Sequence, residues 1–290
     1  MNPQQWRSLR RWMGFVLVAI IGIAVASALS NWQFHRRAEA VARIELVNAN
    51  WDAAPVSIAS LMADADGFDP ADDYRPVIAE GEYLTDRQLL ARGRPRDGNV
   101  GFQVLTPLRL DSGLVLLVDR GWTPAGSDVT RPAAEPEAPT GRVRVTVRLR
   151  QAEPLVNGRG NTDRTLATIH PPSAAEILQV PVYTGAYGLL ADESPSAETG
   201  MLATKPVTDE GPHLSYAIQW IIFGILGLAG LIVLARTEIR ERREGLQAAA
   251  DGDEDAPALL PRRDVVPAPA AAKSKSKRRS DAEIEDELLG

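Results

Sequence analysis

Two stretches of the chain carry no charged residue, one from Trp12 to Phe34 and one from Leu214 to Ala235. A bilayer hydrocarbon core of about 30 Å takes about 20 helical residues at about 1.5 Å each, so both are long enough to span it. The pattern predicts transmembrane helices over residues 13–31 and 213–235. Trp12 and Trp32 bracket the first, while Tyr216 and Trp220 open the second, placing amphipathic rings where membrane meets water. Residues 32–212 lie between the helices, a run of about 180 and enough for one domain with its own core. Its first part, to about residue 60, continues as an amphipathic segment with Ile44, Val47 and Trp51 at helical spacing.

After an Asp-rich loop ending at Asp73, the period changes from helical to alternating. Arg75–Leu84 and Gln88–Arg94 read as strands joined by a tight hairpin at Thr85-Asp86. Phe102–Leu110 and Leu114–Arg120 read as a second pair around Asp111-Ser112-Gly113. Arg142–Arg150 alternates strictly, with Val143, Val145, Val147 and Leu149 on one face. Two more strands are expected at Thr165–Ile169 and Val182–Leu190, with a short helix Ser173–Leu178 between them. Ser173 with Glu176 three residues on would make its capping box. The fold class expected is a membrane protein whose two transmembrane α-helices flank an antiparallel β-rich (α+β) extracytoplasmic domain, a sandwich or a partly open barrel.

The first apolar stretch also resembles a signal peptide core, since Arg7, Arg10 and Arg11 precede it. It is longer than a typical core of about 7–15 residues and ends in Ser30-Asn31-Trp32-Gln33, a poor cleavage site, so an uncleaved anchor is the reading. Seven arginines flank the outer ends (7, 10, 11, 236, 240, 242 and 243), against Arg36, Arg37, Arg43 and Lys205 on the inner side. That bias puts residues 1–12 and 236–290 in the cytoplasm and residues 32–212 outside. Beyond residue 245 the chain is rich in Ala, Pro, Asp and Glu, with a basic block at 273–279, and is expected to be disordered. The block sits where anionic membrane lipid is a conceivable partner, though a solvated tail is the simpler reading.

Composition narrows the chemistry. With no cysteine there is no disulfide and no thiolate ligand or nucleophile. The 28 arginines against four lysines point to a high-GC bacterial genome, and the net charge of −6 gives no sign of nucleic acid as a partner. No phosphate-cradling glycine loop, nucleophile elbow or His-Glu-x-x-His pair is present, so the reading is not an enzyme. Two of the three histidines, His35 and His213, stand at the facing ends of the two predicted helices. Two readings stay open from the residues alone: axial ligation of a haem iron, or interfacial histidines bonded to water and headgroups. In the second helix Gly224, Gly227 and Gly230 leave room for close approach of another helix. Val118-Asp119-Arg120-Gly121-Trp122 reads as an unusual strand ending, a bulge or tight turn anchored by Trp122, with Asp119 and Arg120 on different faces.

Four segments in order carry a family resemblance: Trp32-Gln33 with Arg36; Tyr74-Arg75-Pro76-Val77 with Gly81 and Tyr83; Thr106-Pro107-Leu108 followed by Val118–Trp122; and His213–Trp220. Together they resemble the surfeit-locus family of cytochrome oxidase assembly factors, over residues 12–236. The resemblance implies a bacterial plasma-membrane protein that helps deliver haem a to, or stabilises, the catalytic subunit of cytochrome oxidase. Partners implied are that subunit and components of haem a synthesis or of a respiratory supercomplex. It implies His213 as a haem a iron ligand; helix position then puts Pro212, Tyr216 and Trp220 at or near its face as a wall for the macrocycle, with the second ring nitrogen of His213 held by a neighbouring acceptor. Trp32, Gln33, Arg36, Arg120, Gly121, Trp122, Gly224 and Gly227 are the expected interaction residues. The alternative is a lasting accessory subunit that binds no haem.

Overall fold

A computed structural model describes residues 3–162 and 164–250. The chain divides into two units, Met1–Ala26 with Ile222–Gly290, and Ser27–Ile221.

Helix α1 runs Pro3–Asn50 and helix α4 runs His213–Ala250. Both contain a window of mean hydropathy 2.4, and only 11% and 6% of those windows are buried. A soluble core helix of that hydropathy would be covered; these leave Val18 and Leu226 more than 60% exposed. Both helices pass the length and composition test for crossing a membrane, and both outrun the expected spans. The amphipathic segment after residue 32 is α1 itself, which ends at Asn50 with Val47 in its last turn and Trp51 just beyond it both buried. At the other end α4 continues through residues 245–250, which were expected to be disordered. The rest of the expected disordered tail, with the basic block at 273–279, lies outside the described residues.

In the larger unit, β1 (Val56–Ser57) and α2 (Ile58–Leu61) lead into β2 (Pro76–Tyr83), β3 (Leu89–Arg96), β4 (Asn99–Leu110) and β5 (Val115–Pro124). β6 (Arg142–Gln151), β7 (Thr165–Leu166), α3 (Pro171–Leu178) and β8 (Ala186–Ser194) follow. The strand order is β1-β2-β6-β8-β5-β4-β3-β7, and an additional β2–β4 pairing closes β2, β6, β8, β5 and β4 into a ring. The domain is therefore a closed barrel rather than a sandwich or an open one. It is also not purely antiparallel: β5–β8, β1–β2 and β3–β7 pair in parallel. The long excursion through α3 returns β8 beside β5 in the same direction, which a hairpin cannot do.

Closure happens at Gly81, opposite Leu110. A Cβ there would lie 2.0 Å from the Arg109 carbonyl oxygen, so only glycine lets the two strands meet. One core cluster draws on all five ring strands, including Val77, Leu108, Val118, Val145 and Leu190, and fills the barrel. A second, with Leu89, Leu105, Leu117 and Leu189 from the sheet, packs its outer face under α3 and the end of α1. That end is clamped: the Arg148 guanidinium sits 4.2 Å from the Trp51 ring, and its Nε donates to the Trp51 carbonyl at 3.0 Å.

Two local expectations fail for physical reasons. Thr85–Arg87 is a 3-10 turn, not a hairpin, because β2 and β3 each pair with β4 instead of with one another. α3 begins at Pro171, two residues before the expected cap, because prolines at its first two positions need no donor. His170 caps it, its Nδ1 accepting from the Ser173 N–H at 3.3 Å.

Candidate functional site

The site forms where the end of the first apolar stretch of α1 meets the start of α4, within the larger unit. Positions 30, 33 and 37 of α1 are spaced three and four apart, so they share one helical face. Ser30 Oγ, buried, donates to the Ala217 carbonyl at 3.1 Å. Gln33 Oε1 lies 2.9 Å from His213 Nδ1. Arg37 pairs with Glu210 at 2.9 Å. These three contacts take in turn Ala217, His213 and Glu210, so the chain leading into α4 runs antiparallel to α1.

His213 is the first residue of α4 and is half-buried. Gln33 Oε1 can only accept, so the contact is satisfied when Nδ1 carries the ring proton. Nε2 then carries the lone pair, and it has no hydrogen-bond partner among the described residues. The neighbour on that edge is Gly211, with φ +69°, where a Cβ would stand 3.4 Å from both Cδ2 and Nε2. Tyr216, exposed, and Trp220, half-buried, lie one and two turns on from His213.

His35 does not join this site. It is two residues beyond Gln33, about 200° around the helix, and is exposed. His35, inside α1, and His213, at the start of α4, thus do not form a pair. Trp32 is 52% exposed, with the Arg36 guanidinium 5.9 Å from its ring and Arg36 also paired with Glu39 at 3.1 Å. Gly224 faces Ala26 within the smaller unit, whereas Gly227 has nothing within 4 Å of a Cβ. Among the described residues no group of three or more His, Cys, Asp or Glu side chains could hold a metal ion.

The Val118–Trp122 segment, expected at an interaction surface, lies inside the domain. β5 does not end there but runs on to Pro124. Arg120 has no exposed surface, and its guanidinium meets Glu193 at 2.6 and 3.2 Å and the carbonyls of Glu198 and Pro136 at 3.0 and 3.4 Å. The Tyr83 phenol donates to Glu193 at 3.1 Å, and burial, reinforced by that carboxylate, pushes the phenol up. Asp119 points to the opposite face, as expected, and its Oδ1 accepts from the Gly121 N–H at 3.0 Å. Burial pushes the Asp119 acid up to about 7 against the pull of that bond and of Arg94. Gly121, at φ +109°, touches the Gly200 backbone where a Cβ would stand 2.6 Å away, and the Trp122 indole donates to the Arg94 carbonyl at 2.8 Å.

Sequence reasoning missed Glu193, Ser30, Glu210 and Gly211. The 30, 33, 37 spacing was a readable signal for one face of α1; the partner of Arg120, 73 residues away, left none.

A sequence model of the SURF1 family matches residues 20–225. Uncharacterised SURF1-like proteins of Mycobacterium bovis and Mycobacterium tuberculosis are each 35% identical over 239 residues, covering 80% of this chain and 86% of theirs. A SURF1-like protein of Dictyostelium discoideum is 27% identical over 115 residues, 38% of this chain and 42% of its own length.

Proposed function

Because the chain belongs to the SURF1 family, known generally for oxidase assembly factors, we propose that it is a non-enzymatic membrane factor for haem-copper cytochrome oxidase. In this reading it assists delivery of haem a to the catalytic subunit, or stabilises that subunit, at the bacterial plasma membrane. Haem a is its cargo, held transiently, and the catalytic subunit is its partner.

The observation that carries the reading is the geometry of His213. A histidine that ligates iron needs a neutral imidazole with one nitrogen engaged elsewhere and the other free. His213 has Nδ1 on Gln33 and Nε2 without a partner among the described residues. Gly211 keeps a side chain away from Nε2, and Tyr216 and Trp220 offer aromatic surface along the same helix. His213 would thus hold the haem through Nε2, with Tyr216 and Trp220 offering aromatic surface to it. The chain's part is to bind and orient the cargo.

The test is to express the full chain together with a haem a synthesis pathway and record the optical spectrum of the detergent-purified protein. His213→Ala is expected to lose haem a and oxidase activity at unchanged protein abundance, since alanine keeps helix propensity. His35→Ala is the control and is expected to keep wild-type occupancy. If both variants carry as much haem as the wild type, or the wild type carries none, the accessory-subunit reading replaces this one.

A further inference from the structure

We infer that Gln33 is a positioning residue that fixes His213 as the Nδ1–H tautomer and thereby assigns Nε2 as its outward, metal-facing nitrogen. The step from tautomer to metal rests on the haem reading above; the tautomer itself does not.

The argument begins with the imidazole. A neutral ring has one N–H and one lone pair, and for a free histidine in water the Nε2–H form dominates. That form would bring a proton, not a lone pair, to the side where Nε2 stands unpartnered. Gln33 Oε1 at 2.9 Å from Nδ1 reverses the preference, because an acceptor there is satisfied only by Nδ1–H.

The acceptor is held in place by its neighbours on α1. Ser30, one turn before, is tied to the Ala217 carbonyl, and Arg37, one turn after, is tied to Glu210. Gln33 thus sits between two cross-links joining α1 to the residues around His213, and its side chain meets the ring in a fixed register. Gly211 stands at the other edge, where a Cβ would come within 3.4 Å of both Cδ2 and Nε2. Trp32 and Arg36, its neighbours in the sequence motif, point elsewhere and pair with each other. The segment thereby divides in role, with Gln33 turned inward to the histidine.

The test uses the full-length chain in detergent, labelled with 15N at histidine, at mildly alkaline pH. The His213 signals are assigned by their loss in His213→Ala. The wild type is expected to show a protonated, pyrrole-type Nδ1 and a pyridine-type Nε2. Gln33→Leu, which removes the acceptor, is expected to move His213 to the Nε2–H form. Gln33→Glu keeps an acceptor on a side chain of the same length and is expected to retain the wild-type pattern, showing that the leucine effect is not loss of fold. Titration of the same proteins with haemin, followed at its Soret band, is expected to show about 10- to 100-fold weaker binding for Gln33→Leu and near wild-type binding for Gln33→Glu.

An Nε2–H wild type would mean that Gln33 donates its amide instead, and it overturns the inference. So does a Gln33→Leu protein with the wild-type tautomer. If the tautomer shifts as expected but His213→Ala binds haemin as the wild type does, the haem reading fails while the hold of Gln33 on His213 stands. If His213→Ala alone loses haemin and Gln33→Leu changes neither tautomer nor affinity, the haem reading stands and the positioning role fails.

Discussion

Arg120 has no exposed surface, and a guanidinium so placed is tolerable only if its donors are met. Glu193 takes two of the contacts, and the Tyr83 ring lies 5.5 Å from the guanidinium carbon. Removing one member leaves an uncompensated buried charge, which costs about 3–5 kcal/mol. Arg120→Met or Glu193→Gln is expected to lower the thermal midpoint by roughly 6–20 °C, and the double variant by less than the sum. Equal, additive losses in a thermal-shift series would show that the pair is not coupled. Asp119 makes a second, opposite demand. Its acid rises from 3.8 to about 7 on folding, chiefly through burial, so the folded state holds the proton more tightly. The stability this contributes is complete below about pH 4 and is lost as pH rises through about 7, a change of at most about 4 kcal/mol. Asp119→Asn keeps an acceptor for the Gly121 N–H and is expected to flatten stability between pH 4 and 8; an unchanged slope sinks the assignment. The sequence showed these two residues as a charged pair in an apolar strand and placed them on different faces by cost alone. It held no trace of Glu193, because pairing across a barrel depends on register that no local pattern encodes.

At the scale of elements, period was legible and partnership was not. β6 alternates so strictly that its bounds emerge to within one residue, and β4, the Asp111–Gly113 turn and β5 form the expected hairpin. The expected hairpin at Thr85–Asp86 failed because alternation marks a strand without saying which strand it joins. Gly81 resolves that ambiguity by admitting β4 against β2, a role visible only once the Arg109 carbonyl is in place. The helices behave similarly. Three glycines in α4 looked alike, yet Gly224 alone faces a side chain, its Cβ position lying 3.7 Å from Ala26 Cβ. Disulfide-linked Cβ atoms stand about 3.8 Å apart, and the chain has no cysteine of its own. Ala26→Cys with Gly224→Cys is therefore expected to cross-link on mild oxidation, seen as a gel shift, while Ala26→Cys with Gly227→Cys does not. Efficient linking of the second pair would mean that α4 turns Gly227, and not Gly224, toward α1.

The whole molecule poses the question of which side of a membrane each part occupies. Arg11 Nη2 donates to both carboxylate oxygens of Glu238, at 2.9 and 3.0 Å. Residues so joined lie on the same side of any bilayer that α1 and α4 both cross. Gln33 and His213, which meet at 2.9 Å, lie at the far ends of the two charge-free stretches. From Arg11 to Gln33 the rise along α1 is about 33 Å, and from His213 to Glu238 along α4 about 37 Å, each close to the thickness of a hydrocarbon core of about 30 Å. The apolar length along each helix is suited to the bilayer, and both charge-free sequences are expected to cross it. The arginine bias then chooses the direction: seven at the Arg11 and Glu238 ends against four basic residues at the other. Residues 32–212, including the barrel, are expected outside and both termini inside. A reporter active only in the cytoplasm should give signal when fused after Gly290 and none when fused near Gly126. The reverse pattern would put His213 on the cytoplasmic side, where cargo would have to be taken up from the opposite face. Signal at both sites would mean that one of the two helices does not cross, and the shared level of Gln33 and His213 would then need another explanation than a common membrane surface.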